Sequence, residues 1–235
     1  MCLKKKLLHG ILLIAILSGC AATRHAASGG VYHTVGKGET LWRISRTYGV
    51  DAQDVAEANN INDPAKITEG RKIFIPGARS VRKVEPRKPF SKPHGIKETP
   101  EGSESPDKIV VEKGRFAWPV AGEVISPFGV RGQAMHYGID IKATKGAPVK
   151  AADDGRVVYS DDQMKGYGNV VILRHADNYY TVYAHNEKNL VKAGDNVRKG
   201  EEIALIGDSG NAGPAHLHFE IRQGKKTRNP LFFLP

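Results

Sequence analysis

His216-Leu-His-Phe-Glu-Ile-Arg222 is the stretch that decides how the carboxyl-terminal half of this chain is built. On extended backbone alternate side chains share a face, so His216 and His218 look one way while Leu217, Phe219 and Ile221 look the other and read as core. Upstream, His136-Tyr-Gly-Ile-Asp140 sets an imidazole and a carboxylate four residues apart, which on a strand again means one face, and Tyr183-Ala-His185 adds an isolated third histidine segment. A lone strand histidine is ordinarily a hydrogen-bonded structural residue. Five such groups with this joint spacing carry a different meaning: imidazole and carboxylate converging on one polar face form the donor set of a catalytic zinc site, where three protein ligands leave a fourth position for water.

The surrounding sequence supplies strands to hold such a face. Gly155-Arg-Val-Val-Tyr159, Asn169-Val-Val-Ile-Leu173, Tyr179-Tyr-Thr-Val-Tyr-Ala184 and Glu202-Ile-Ala-Leu-Ile206 are short β-prone runs separated by glycine turns, so the expected fold here is mainly antiparallel β. The other histidines read differently. His175 sits at a strand end before a turn and is expected to be structural; His33 opens a strand elsewhere, and His9, His25 and His94 fall in a leader and in tethers.

These motifs, with Phe128-Gly-Val-Arg131, Gly166-Tyr-Gly-Asn169 and Gly207-Asp-Ser-Gly-Asn-Ala-Gly213, make the stretch from about Phe116 to Pro235 resemble the lysostaphin-type (LytM-type) zinc peptidases of the bacterial cell wall. The resemblance implies one Zn2+ held by His136, Asp140 and His218, with His185 and His216 handling protons. It also implies a groove that admits an extended peptide above the metal. One departure is Gly213-Pro-Ala215, which puts an extra residue between the Gly-Pro pair and His216.

A second unit precedes it. Tyr32-His-Thr-Val35 and Lys72-Ile-Phe-Ile75 are strand-like, and between them Thr40 and Asp51 can cap two helices, the first burying Leu41, Ile44 and Tyr48, the second Val55 and Ala58. The order strand, helix, helix, strand, together with Val35-Gly-Lys-Gly-Glu-Thr-Leu-Trp-Arg-Ile44, Asn59-Asn-Ile61 and Ile73-Phe-Ile-Pro76, resembles the LysM module, a small α+β fold that binds the N-acetylglucosamine backbone of peptidoglycan or chitin. Its sugar groove maps to Gly38, Thr40, Leu41, Asn59 and Ile61. Thr40 doubles as a helix cap, and Leu41 suits packing equally well.

The amino terminus sets the compartment. Lys4-Lys-Lys6 precedes a mainly apolar stretch from Leu7 to Leu17, interrupted by His9 and Gly10 and too short for the roughly 20 residues of a membrane span. Leu17-Ser-Gly-Cys20 then resembles the lipobox of bacterial lipoproteins, implying cleavage before Cys20 and its lipidation; several acyl chains anchor a protein stably in a membrane. Ala21 after the cysteine resembles the sorting pattern for the outer membrane, with the chain facing the periplasm. Cys2 leaves with the leader and Cys20 is consumed by lipid, so neither a disulfide nor a free thiol is expected.

The organisation that follows is a signal peptide (1–19), a lipidated tether (20–30), a LysM module (31–77), a Pro/Lys/Glu-rich linker (78–113) and the zinc peptidase domain (114–235). Five prolines interrupt the linker, and Arg79 to Lys97 carries seven Lys or Arg against one Glu; as a coil it would span about 35 Å. Net charge is +10, of which Lys4, Lys5 and Lys6 give three. That excess suits an anionic wall or membrane surface. No nucleic-acid partner is expected, since no recognition motif accompanies the charge.

The expected function is hydrolysis of peptide cross-links in peptidoglycan by a lipid-anchored zinc endopeptidase, at the D-Ala to diaminopimelate bond in a Gram-negative host. The alternative comes from lipoproteins with the same LysM-then-LytM order that activate cell-division murein amidases without cutting anything themselves. A passive wall anchor would leave the zinc site without a purpose.

Overall fold

The computed structural model describes residues 29–85, 109–132 and 134–235. The expected signal segment, Cys20 and most of the Pro/Lys-rich stretch lie outside the described residues. Within them no helix is long and apolar enough to cross a membrane.

The amino-terminal unit runs β1 (Gly30–Thr34), α1 (Leu41–Tyr48), α2 (Ala52–Ala58) and β2 (Lys72–Pro76). Thr40 caps α1 by accepting from the Arg43 amide, and Asp51 caps α2 by accepting from that of Gln53 at 2.7 Å; each satisfies a helix-end donor that would otherwise be orphaned. Gly49, at φ 69°, ends α1 in the left-handed conformation that glycine adopts without penalty. The two strands pair antiparallel, Val31 opposite Ile75 and His33 opposite Ile73. Leu41, Ile44, Val55, Ile61, Ile73 and Ile75 close the core between helices and strands.

That core draws in chain expected in the linker. Val84 is only 5% exposed and belongs to it, the Arg82 amide donates to the Tyr48 hydroxyl at 2.9 Å, and Arg43 donates to the Glu85 carbonyl. The folded unit therefore extends past Gly77 to Glu85.

The carboxyl-terminal unit is a ten-stranded antiparallel sheet. Its central run is β11 (Asn196–Val197), β8 (Gly155–Asp161), β9 (Asn169–Arg174), β10 (Tyr179–Asn189), β13 (His216–Gln223), β6 (Ile139–Lys142) and β3 (Glu123–Ser126). β12 (Glu202–Ile206) joins β10 to β7 (Pro148–Lys150), and β14 (Lys226–Arg228) pairs with β13. A separate two-stranded hairpin, β4 (Gly129–Arg131) and β5 (Ala134–His136), immediately precedes β6 in the chain. Leu217, Phe219 and Ile221 of β13 all enter the core, as the alternation requires.

The two units are fastened to each other. Glu57 of α2, 2% exposed, accepts from Arg228 Nε at 2.7 Å and from the Asn229 amide at 3.0 Å, while Asn229 Nδ2 donates to the Glu57 carbonyl. Gln53 exchanges two hydrogen bonds with the backbone of Val110, and Ile109 packs on both cores. The two units, expected from the sequence to be joined by a coil, thus share an interface with a desolvated ion pair at its centre. Removing one partner of such a pair strands a buried charge at a cost of about 3–5 kcal/mol.

Candidate metal centre and cleft

Two adjacent strands build the floor of the site. β13 runs antiparallel to β6 with His218 opposite Asp140 and His216 opposite Lys142. His136 arrives from elsewhere. It ends β5, and Tyr137-Gly138 separates it from β6, so His136 and Asp140 converge from two strands rather than from one, contrary to the sequence reading. Gly138 makes the crossing possible: a Cβ there would lie 2.4 Å from the Phe219 carbonyl oxygen and 2.9 Å from the His218 ring.

The three donor atoms face one another. His136 Nε2 is 3.1 Å from Asp140 Oδ1 and 3.2 Å from His218 Nδ1, which is 2.8 Å from the same Oδ1. Tetrahedral zinc with bonds near 2.05 Å needs donors about 3.3 Å apart, so His136, Asp140 and His218 fit a Zn2+ with little adjustment, and they form the His-Asp-His group among the described residues able to hold a metal. The protons are assigned from the network. His136 Nδ1 lies 2.8 Å from the Pro127 carbonyl, which can only accept, and 2.5 Å from Arg131 Nη2, which can only donate; with the hydrogen on Nδ1 toward Pro127, Nε2 presents its lone pair to a metal. His218 Nε2 likewise points at the Glu220 carboxylate, leaving Nδ1 for the metal. Arg131 reaches Asp140 Oδ2 at 2.8 Å, binding the oxygen that faces away from the other two donors.

These contacts set the charge states. Burial works against ionised Asp140, but its contacts with His136, His218 and Arg131 outweigh it and hold the carboxyl well below the usual range. Burial would also lower His218, yet Asp140 and Glu220 raise it to about 9. His185 is lowered, mainly by burial, and so stays neutral near pH 7.

His185 and His216 stand beside the triad, their rings 4.9 Å apart. His185 adopts φ 66° within a β-bulge of β10 between Tyr183 and Asn186. That strained turn is what swings its ring off the strand's regular alternation and over the site. Its Nδ1 bonds the Ser209 carbonyl at 2.8 Å, and His216 Nδ1 bonds that of Pro214 at 2.8 Å, so both Nε2 atoms are open to the cleft. His216 Nε2 lies 3.9 Å from Asp140 Oδ1. Met135, Tyr137, Tyr167 and Asn211 complete the walls of a cleft of about 420 Å³.

All five residues singled out in the sequence meet here. Arg131, Tyr167 and Glu220 were quoted within motifs but given no role; Glu220, two residues beyond His218 on the same face of β13, was readable by the same alternation. His175 is satisfied on both nitrogens, by the Asp154 carbonyl and the Thr181 hydroxyl, both at 2.7 Å, as a structural histidine should be. The expected sugar contacts scatter: Leu41 and Ile61 are buried in the core. The Asn59 amide is spent on the backbone of Val55 and Phe74. Gly38 and Thr40 remain exposed.

Residues 134–230 match the model of peptidase family M23, and residues 33–76 match the LysM domain. Over 99% of its length the chain is 36% identical to lipoprotein YgeR of Escherichia coli, spanning 95% of that protein. The chain belongs to the LysM–M23 lipoprotein family. A second relative in this family, the murein hydrolase activator NlpD of Escherichia coli, is 30% identical, the match covering 88% of this chain and 68% of NlpD. Among solved structures, a zinc-containing peptidase from Vibrio cholerae is 29% identical over 52% of this chain and 39% of that one, with a TM-score of 0.46.

Proposed function

We propose that this chain is an envelope lipoprotein, anchored through Cys20 after loss of residues 1–19, that holds peptidoglycan with its LysM unit and promotes murein hydrolysis by activating an amidase. The observation that supports this reading is the likeness to NlpD, a murein hydrolase activator, which spans the LysM unit and the M23 unit together rather than one of them. It reverses the order of preference that the site residues alone suggested. Docking to an amidase uses surface shape, and it needs no particular side chain at the metal floor.

A second reading, in which the chain itself opens peptide cross-links of peptidoglycan, is favoured by the donor geometry: His136, Asp140 and His218 are all present, their ligand atoms within 3.2 Å of one another. Zinc held there would polarise the scissile carbonyl and acidify a water. The open Nε2 atoms of His185 and His216 would take a proton from that water and deliver one to the leaving amine, each worth about 10² to 10⁴ in rate. Arg131 would hold Asp140 in place through Oδ2.

Muropeptide analysis on purified wall, with the chain added alone and together with a murein amidase, separates the two. The activator reading expects release of stem peptides from the sugar to rise only when both proteins are present. Opened cross-links with the chain alone would transfer the conclusion to the peptidase reading. Sedimentation of residues 29–85 with peptidoglycan, competed by soluble chitin oligomers, checks the LysM assignment; loss of binding at high salt without competition would assign it to basic surface instead.

A further inference from the structure

The floor of the metal site rests on a carboxylate that none of the steps above uses. Glu220 is fully buried, and it lies on the same face of β13 as His218. Its Oε1 is 3.1 Å from His218 Nε2 and accepts from the Tyr167 hydroxyl at 2.8 Å; its Oε2 accepts from Arg222 Nε at 2.6 Å. An ionised carboxylate in a dry interior costs several kcal/mol unless fully compensated, and an apolar residue of similar volume would pack as well at less cost. Three donors from three directions are spent on keeping this one. What they keep in place is an acceptor aimed at the outer nitrogen of a metal-donor histidine, the arrangement that fixes which ring nitrogen carries the hydrogen and how the ring is turned.

We propose that Glu220 is a positioning residue of the metal centre, holding His218 with Nε2 protonated and Nδ1 presented to the metal, and that Tyr167 and Arg222 hold Glu220 for that task. The inference rests on reading His136, Asp140 and His218 as a metal site. It makes the centre a cascade in which each layer orients the next: Arg222 and Tyr167 fix Glu220, Glu220 fixes His218, and Gly138 leaves room for the His218 ring to be so placed.

The test measures zinc affinity of the full chain by competition with a chromophoric chelator, and the ligand-field spectrum of the cobalt-substituted protein. Glu220→Gln should weaken zinc about 10- to 100-fold and shift the cobalt bands. Tyr167→Phe, which removes one neutral hydrogen bond and no charge, should weaken zinc about 2- to 10-fold in the same direction and guards against a Glu220 variant that does not fold. Unchanged zinc affinity and cobalt spectrum in a folded Glu220→Gln protein, with only its melting temperature lowered, would make Glu220 an ordinary structural ion-pair partner of Arg222 and overturn the proposal. A wild-type chain that takes up no zinc would sink the metal reading and this inference with it, whereas wild-type and Glu220→Gln chains that bind zinc equally well would sink this inference alone.

Discussion

Both units bury histidines beside carboxylates, and the two arrangements do opposite things. In the amino-terminal unit His33 bonds Tyr48 Oη at 3.0 Å through Nδ1 and Glu39 Oε2 at 2.7 Å through Nε2, while Glu39 also accepts from the Gly36 amide at 2.8 Å. Both ring nitrogens of His33 find a partner, and the centre is closed. In the carboxyl-terminal unit the partnering runs outward instead. His136 and His218 spend their outer nitrogens on Pro127 and Glu220, and turn Nε2, Nδ1 and Asp140 Oδ1 toward one point. These three atoms can all serve one cation once the proton shared by His218 Nδ1 and Asp140 is displaced. Burial and a nearby carboxylate therefore do not mark a functional histidine; convergence of donor atoms left free by outward hydrogen bonds does.

The most severe way to break that contrast is to remove one histidine from each centre in turn. His218→Ala should drop zinc from one per chain to near none, because one of three protein ligands is gone, while His33→Ala should leave zinc untouched; elemental analysis reads both, and zinc retained by the His218 variant would remove the contrast. Next in size, Glu57→Ala should destabilise the chain by about 3–5 kcal/mol by stranding Arg228, again with zinc unchanged, as chemical denaturation would record. His185→Ala or His216→Ala should keep zinc and leave amidase stimulation intact, and should lower any cross-link cleavage by at least about 10². For His33→Ala the expected stability loss is about 1–3 kcal/mol, the cost of leaving Tyr48 and Glu39 short of a buried partner.

A further effect, comparable in size to the stability losses above, is a dependence on pH that only the open centre should show. The metal-free fold raises His218 to about 9, above its ordinary 6.5, so protonated His218 stabilises that fold fully below pH 6.5. This contribution is lost as the pH rises through about 9. With zinc on Nδ1 there is no such proton to lose. Denaturation midpoints at pH 6.5 and 9 should therefore fall in the metal-free chain and hold in the loaded one, and zinc uptake near pH 7.5 should release a proton.

Much of the site was legible because β13 and β6 are regular strands, where alternation alone tells which side chains share a face. His216, His218 and Asp140 followed directly. His185 reached the site by another route: a positive φ at a bulge leaves no mark in Tyr183-Ala-His185, so strand logic could name the residue but not how it gets there. In the LysM unit an apolar residue suits a groove or a core equally, and Leu41 and Ile61 proved to be core. Glu57 was invisible for a related reason, since a glutamate on a two-turn helix reads as solvated until Arg228, far along the chain, is brought against it. The strand, helix, helix, strand order and the antiparallel sheet were readable from periodicity and turns. Whether such a chain cuts or activates was not, because docking to an amidase requires no signature residues.

Glu57 also changes what holding the wall can accomplish. With α2 tied to Arg228 and Asn229, the exposed Gly38 and Thr40 of one unit and the Asp140 floor of the other cannot move apart without breaking those bonds. A glycan strand seated on the first would present its neighbours to the second at a set angle and not merely at short range. The chain would then be sensitive to the grain of the wall, meeting strands that run one way and passing over those that run another.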